Sequence, residues 1–426
     1  MRTLFRFGLV LGLLGNSWAQ PAQAQVLAPQ ALEVEFAYSA QFLSNSIDVS
    51  AEDEALLHAS HLFGIFQSQG YVESQGLNWE EVGGIAAPRW PPKIKILRDF
   101  ETDEGRREIR YSFKTKALVQ KRVAREWLRR GQVTLALPYD LSAIYDENCT
   151  DEHYQTEGDY WYFYDIYRRG CVYLQNEPYA RVVSVSVTAL QDRKIEASPR
   201  LDLLRGDNGN GDDFMMYVIY GFAKDSRDHE DEGRANFDEF NQGLIERGFS
   251  QSIVRRTETR PLYVSEKWID KMNGERVHVI VKSLLVETAI ESRGKTFAKF
   301  FREAVEQGDV VLYAGHSGLG GNLDIAALEE KAGSFVFDTS KKQIFFFDAC
   351  SSYSYYLDPF RRTKTPRSVD ILTYGLPSYF HTTQAVHDAF LDVMLDMDHD
   401  QDWLTVLKKM ESPLEGGTYL LNVGGI

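Results

Sequence analysis

Two runs in the second half of the chain are apolar at almost every position: Val310-Val311-Leu312-Tyr313-Ala314 and Ile344-Phe345-Phe346-Phe347. A strand with one wet face alternates apolar and polar residues, so runs this uniform must be covered on both sides. Both are short and bounded by glycine or small polar residues, which marks them as buried strands of a parallel sheet. Sheets of that kind place their ligands in the crevice beyond the carboxyl ends of the strands. The first run leads through Gly315 into His316-Ser317-Gly318, and the second through Asp348-Ala349 into Cys350-Ser351-Ser352. The crevice therefore receives a histidine and a cysteine, the base and nucleophile of thiol chemistry.

The surrounding pattern supports that sheet. Phe214 to Ala223 reads as an apolar strand, Asn236 to Arg247 as a helix stopped by Gly248, and Ser250 to Arg255 as a second strand. Val277 to Val286 is a further strand or strand pair. Gly294 to Gln307 has helical spacing through Phe297, Phe300, Phe301 and Val305. Ser368 to Tyr374 adds a strand, with helices at Thr382 to Leu395 and Trp403 to Met410. Strands alternating with helices predict an α/β fold whose mostly parallel sheet is covered by helices on both faces.

A chain of 426 residues exceeds one ordinary core and divides into two domains. The turn-rich segment Arg205-Gly206-Asp207-Asn208-Gly209-Asn210-Gly211-Asp212-Asp213 marks the boundary, giving a smaller α+β domain over 25–205 and the α/β domain over 206–426. In the first, Leu32 to Phe42, Lys93 to Leu97, Arg107 to Leu118, Gln132 to Leu137 and Ala180 to Leu190 read as strands. Ala51 to Gln67 and Lys121 to Gly131 read as helices. The β-α-β-β-α-β order of its first part is that of a ferredoxin-like layer.

Residues 1–24 have the form of an export signal. Arg2 and Arg6 precede a short apolar stretch from Phe7 to Leu14, and Ala22-Gln23-Ala24 offers a small-residue cleavage site. The apolar stretch is too short to span a bilayer, so no integral membrane anchor is expected. Export directs the protein to a periplasmic or extracellular, oxidising compartment. Two of the 47 basic residues leave with the signal, so 45 face 62 acidic ones and the net charge becomes −17. That charge argues against nucleic acid as a partner and favours peptides or proteins with basic segments.

Cysteine usage fits this compartment. Cys149 and Cys171 flank a tyrosine-rich stretch and are expected to form a disulfide worth roughly 3 kcal/mol for a loop of that length. Cys350 is then left as a single thiol. With a side-chain period of two, Asp348 and Cys350 share a face of their strand. A neighbouring carboxylate raises a thiol pKa, but it also suits the binding of a cationic substrate side chain. His316 stands where it can take the Cys350 proton or return it to a leaving amine. Gly315 and Gly318 permit close backbone approach, and amides near His316 and Cys350 supply candidate oxyanion donors.

These strand ends resemble those of the caspase-like cysteine peptidases, the group that holds caspases, metacaspases, gingipains, clostripain, legumain and separase. Val310 to Gly318 and Ile344 to Ser352 match the apolar strand ending in His-Gly and the apolar strand ending in Ala-Cys. The resemblance covers roughly the second half of the chain. It implies a caspase-like domain and peptide-bond hydrolysis through a thioacyl intermediate, with Cys350 as nucleophile and His316 as general base and acid. It also implies that Asp348, two residues before the nucleophile, binds a P1 Arg or Lys. The family's glycine after the histidine is Ser317 here, followed by Gly318, and these two amides become the expected oxyanion donors.

Two rival readings are kept open. Gly315-His316-Ser317-Gly318-Leu319 approximates the nucleophile elbow of serine esterases, with Ser317 attacking and His381, His387 or His399 as the downstream histidine. Leu319 departs from that motif. Alternatively, Ser317 marks a catalytically inactive, peptidase-like binding module. No cofactor is required by either thiol or serine chemistry. The oxygen-rich segments at 205–213 and 396–402 invite Ca²⁺, but the first reads as a linker. The second lacks the loop's glycine (Gln401) and its terminal glutamate (Leu407), and reads as a bend with an Asp capping the next helix. The histidines and cysteines show no zinc-ligand spacing.

Overall fold

The computed structural model describes residues 26–141, 147–149, 164–165, 168, 170–171, 180–190, 198–204, 213–255, 261–290, 292–365, 368–399, 401–414 and 418–425. The export signal and most of the expected linker at 205–213 lie outside these residues. The elements of the N-terminal part are β1 (Val26–Leu27), β2 (Ala31–Ser44), α1 (Ala51–Gln67), α2 (Gln69–Ser74), α3 (Trp79–Val82), β3 (Ala86–Pro88), β4 (Lys93–Glu101), β5 (Arg107–Gln120), α4 (Lys121–Arg130), β6 (Gln132–Pro138) and β7 (Ala180–Ala189). Then follow β8 (Asp213–Gly221), α5 (Glu232–Glu246), β9 (Ser250–Arg255), β10 (Leu262–Asp270), β11 (Arg276–Val286), α6 (Lys295–Gln307), β12 (Val310–Ala314) and α7 (Ile325–Ala332). The chain closes with β13 (Gln343–Asp348), α8 (Ser352–Tyr355), α9 (Leu357–Arg362), β14 (Val369–Thr373), α10 (Phe380–Leu395), α11 (Trp403–Glu411) and β15 (Asn422–Gly424).

Among the described residues the strands form two sheets, and the chain is a mixed α/β protein. The larger sheet has nine strands in the order β1-β15-β14-β13-β12-β8-β11-β10-β9. Its centre, from β14 to β11, is parallel, and antiparallel strands flank it on both sides. Every residue of β8, β12, β13 and β14 is buried. The uniform apolar runs divide cleanly: Ile344 and Phe346 face α5, α10 and α11, whereas Phe345 and Phe347 face α6 and α9. Each such phenylalanine contributes about 2–3 kcal/mol by leaving water.

The edge differs from the expected βαβ order. Ser250–Arg255 does not run parallel beside β8. It pairs antiparallel with β10, which forms a hairpin with β11. β10 carries Glu266, Lys267 and Asp270 on its wetter positions, so its sequence lacks the apolar run that marks a central strand. Asp402 caps α11 by accepting from the Thr405 amide, as the sequence predicts.

The smaller sheet is antiparallel, in the order β3-β5-β2-β7-β6, with β4 also paired to β5. It differs from a ferredoxin-like layer because β7 inserts between β2 and β6. Ser50 caps α1 through the Asp53 amide, and Trp127 of α4 is buried against Phe36 and Phe66. Val26 and Leu27, assigned by sequence to the N-terminal part, instead pair with β15 at the edge of the larger sheet.

The two sheets are joined beside the turn that follows β13. Phe63, Ala87 and Leu118 share a core with Tyr355, Leu376 and Leu420. At its rim Arg89 holds Glu33 at 2.5 Å and Asp358 at 2.8 Å, with its guanidinium 4.6 Å from the Tyr353 ring centroid. The Tyr353 hydroxyl donates to the same Glu33 oxygen, and the Trp90 amide donates to the Ser354 carbonyl. The Glu33 side chain is fully buried, so removing Arg89 leaves its carboxylate to the more distant Lys116 amine at 3.9 Å. Arg89→Ala is expected to destabilise the protein by about 3 kcal/mol in urea unfolding, and Glu33→Met with Arg89→Met to recover most of that loss. A loss under about 1 kcal/mol in the single variant would show that this ion pair does not hold the two sheets together.

Candidate functional site

The parallel register fixes where the reactive residues stand. Ala314 of β12 lies opposite Asp348 of β13, so His316 and Cys350 each follow two residues beyond a matched pair. The Gly315 amide donates to the Asp348 carbonyl and extends the pairing past the strand. The chain then turns sharply after Cys350: Ser351 adopts φ 51°, and its amide donates to the Leu376 carbonyl. Ser352 locks that turn, donating its hydroxyl proton to the Phe347 carbonyl at 2.7 Å and accepting from the Tyr374 amide.

The turn after His316 is fixed as firmly. The Tyr313 hydroxyl and the Asn322 side-chain amide both donate to the His316 carbonyl at 2.7 Å, and the Tyr356 hydroxyl donates to the Ser317 carbonyl. Gly318 has φ +53°, and a Cβ there would collide with Asn322. Tyr313, Asn322 and Tyr356 are supporting residues that motif reading misses, because their role depends on contacts beyond the matched strand ends. The amides of Ser317 and Gly318, the expected oxyanion donors, find no acceptor among the described residues, and neither residue lines the cavity described next.

His316 and Cys350 line one cavity of about 280 Å³ together with Asp348, Glu232, Ser378 and Phe380. The His316 ring is exposed and packs edge-on to Phe380, with its Nε2 2.7 Å from the Ala223 carbonyl. A carbonyl only accepts, so Nε2 carries the proton and Nδ1 of the neutral ring is left as the base. The Cys350 thiol is partly exposed and lies 3.6 Å from the Ser378 carbonyl, as its donor. Burial pushes the thiol pKa up, the Ser378 contact opposes that in part, and the nearby Asp348 carboxylate adds a smaller upward push. Cys350 is thus a neutral thiol at neutral pH, and any nucleophilic role for it would require a base to take its proton.

Asp348 has a partner that the sequence reading overlooked. His387 of α10, wholly buried, places Nε2 3.0 Å from Asp348 Oδ2. Its Nδ1 lies 2.6 Å from the Tyr220 hydroxyl. Burial raises the Tyr220 pKa far above its ordinary value, so that hydroxyl keeps its proton and can donate to Nδ1 or accept from it. Nε2 faces Asp348. The approach is off the hydrogen-bond line, and Asp348 Oδ2 remains without a hydrogen bond among the described residues. The helix spacing of Thr383, Val386, Phe390 and Met394 puts His387 on the buried face, which was the available signal. Glu232, in the first turn of α5, is a second cavity carboxylate without any sequence signature.

The other candidates separate from this site. Ser317 is buried, in an ordinary right-handed conformation, and does not line the cavity, so it lacks the exposed and strained position of a nucleophile elbow. Cys149 and Cys171 form the expected disulfide, and Cys350 is a free thiol. Among the described residues no group of three or more His, Cys, Asp or Glu is placed to hold a metal ion, and no helix is long and apolar enough to cross a membrane. The oxygen-rich run at 205–212 lies outside them. Comparison with known proteins finds neither a family model nor a curated protein that matches the chain.

Because burial raises the Cys350 pKa, its alkylation by iodoacetamide should be slow at neutral pH and accelerate without a plateau until the pH passes 9.0, the thiol's ordinary value. Mass spectrometry of labelled Cys350 across pH 6 to 10 reads this directly. A rate already maximal near pH 6 would instead indicate a preformed thiolate–imidazolium pair.

Proposed function

We propose that the protein is a cysteine endopeptidase of caspase-like type that cleaves after Arg or Lys. The observation that carries this reading is the convergence of His316, Cys350 and Asp348 on one cavity from register-matched ends of neighbouring parallel strands. The substrate's basic side chain enters the cavity and pairs with Asp348, whose carboxylate His387 holds from behind. Glu232 adds a second negative charge to the same wall.

Binding brings the scissile carbonyl to Cys350. The thiol proton passes to Nδ1 of His316 as sulfur attacks, and the Ala223 carbonyl steadies the imidazolium through Nε2. Amides at Ser317 and Gly318 receive the oxyanion. The imidazolium then protonates the leaving amine, and water hydrolyses the thioester by the reverse route. The protein acts in the periplasm or outside the cell, after removal of residues 1–24, and its strong negative charge draws basic polypeptides toward it.

A second reading has a specific observation in its favour. Cys350 and His316 each contact a backbone carbonyl rather than one another, and the thiol pKa is raised, which suits a binding module that retains the pocket without turnover. Cleavage of a peptide library separates the two. Wild-type protein is expected to cut after Arg or Lys, Cys350→Ala to lose all cleavage, and Asp348→Asn to lower kcat/KM on basic P1 substrates by at least about 30-fold. Binding without cleavage by wild type, unchanged in Cys350→Ala, would establish the module. Cleavage after Asp or Asn would remove the role given to Asp348.

A further inference from the structure

A second, larger cavity of about 570 Å³ adjoins the first, and Tyr379 and His381 line both. One of its walls belongs to the C-terminal part of the chain, with Tyr379, His381 and Tyr419. The other is α3 of the N-terminal part, with Trp79, Glu80 and Glu81. The cleft therefore spans the junction between the two sheets and opens beside the proposed nucleophile.

The α3 wall is built to hold its place. Asn78 caps it by accepting from the Glu80 amide, and Gly83 closes it at φ 63°. The Trp79 indole donates to the Gln67 carbonyl at 2.7 Å, tying α3 to α1. At Gly84 the backbone approaches Leu376 so closely that a Cβ would lie 2.8 Å from it. Glu80 and Glu81 are both exposed, and among the described residues neither forms an ion pair; Glu81 accepts only from the Asn78 side chain. Two carboxylates beside tyrosine and tryptophan rings match a guanidinium or ammonium on a long apolar stem, which gains from charge and from ring contact together.

We propose that this cleft is a second substrate subsite, contributed by the N-terminal part of the chain, that receives another Lys or Arg side chain of the same polypeptide. The inference rests on the peptidase reading for its ligand. In an extended peptide, side chains two residues apart lie on one face, so a basic residue two positions from the P1 residue is the geometric match. The N-terminal sheet thereby acts in substrate selection through α3, and single basic residues are cut less well than spaced pairs.

The test uses the full-length mature protein and fluorogenic peptides with Arg at P1, in which a second Arg replaces Ala at each of the four positions on either side. Wild type should favour the second Arg at one position by about fivefold in kcat/KM, through KM, and high salt should erase the preference. In Glu80→Gln with Glu81→Gln the ratio should fall to about one, and Glu80→Lys with Glu81→Lys should invert it. An equal ratio in wild type and both variants overturns the subsite while leaving the peptidase reading intact. If wild type cuts no peptide, fluorescence anisotropy with the same peptides decides. Arg-dependent binding that is lost in the Gln variant supports the cleft and removes the peptidase reading, whereas no Arg-dependent binding removes both.

Discussion

Burial of both faces of β8, β12, β13 and β14 is the constraint on which everything else depends. Strands enclosed between two helical layers admit no polar side chain along their length without a buried partner. Chemistry can emerge only where they end, and the register of β12 against β13 brings two such ends level. His316 and Cys350 are thus neighbours in space because neither strand has freedom to slide. A shift of one residue would turn Phe346 and Phe347 to the opposite helical layers and unpack both.

The price of that enclosure is visible at Asp348. It is the last residue of a strand whose four middle residues are apolar, and its side chain lies almost wholly inside. His387 and Tyr220 extend a polar thread from it through the aromatic layer of Phe240, Phe346 and Phe390. The imperfect alignment between His387 and Asp348 matters as much as their proximity. The oxygen nearest His387, Oδ2, is buried and lacks a hydrogen bond among the described residues, so the core leaves this carboxylate incompletely satisfied. The resting thiol follows similar logic, since burial and the same carboxylate keep it neutral until a base acts on it.

What the sequence made legible follows from the range of the forces involved. The uniform runs at 310–314 and 344–347 revealed the centre of the sheet, because burial on both faces leaves a local imprint. Helices such as α1, α4 and α6 were legible through their spacing. The hairpin of β10 with β11 was only half seen, since β10, between β11 and the edge strand β9, is mostly half-exposed and interrupted by Glu266, Lys267 and Asp270. The insertion of β7 between β2 and β6 leaves no local trace at all. In the site, Cys350, His316 and Asp348 stood out by position, while Glu232, Asn322 and the tyrosines around the turns are brought in by tertiary packing alone. His387 was readable as a buried histidine, but only the fold reveals what it faces.

The pairing of β1 with β15 has a consequence for how the molecule comes into being. Val26 lies opposite Gly424, a separation of about 400 residues, and between them in sequence stand the other described strands and helices. The strand at residues 26–27 must therefore wait, apolar and without its partner, until residues 423–424 have been made. During that interval the edge of β14 awaiting β15 is bare as well. Both are surfaces on which another nascent chain can add a strand. Completion of the larger sheet thus joins residues 26–27 to residues 422–424, and a chain interrupted before residue 422 would be left with an adhesive edge rather than a merely shorter protein.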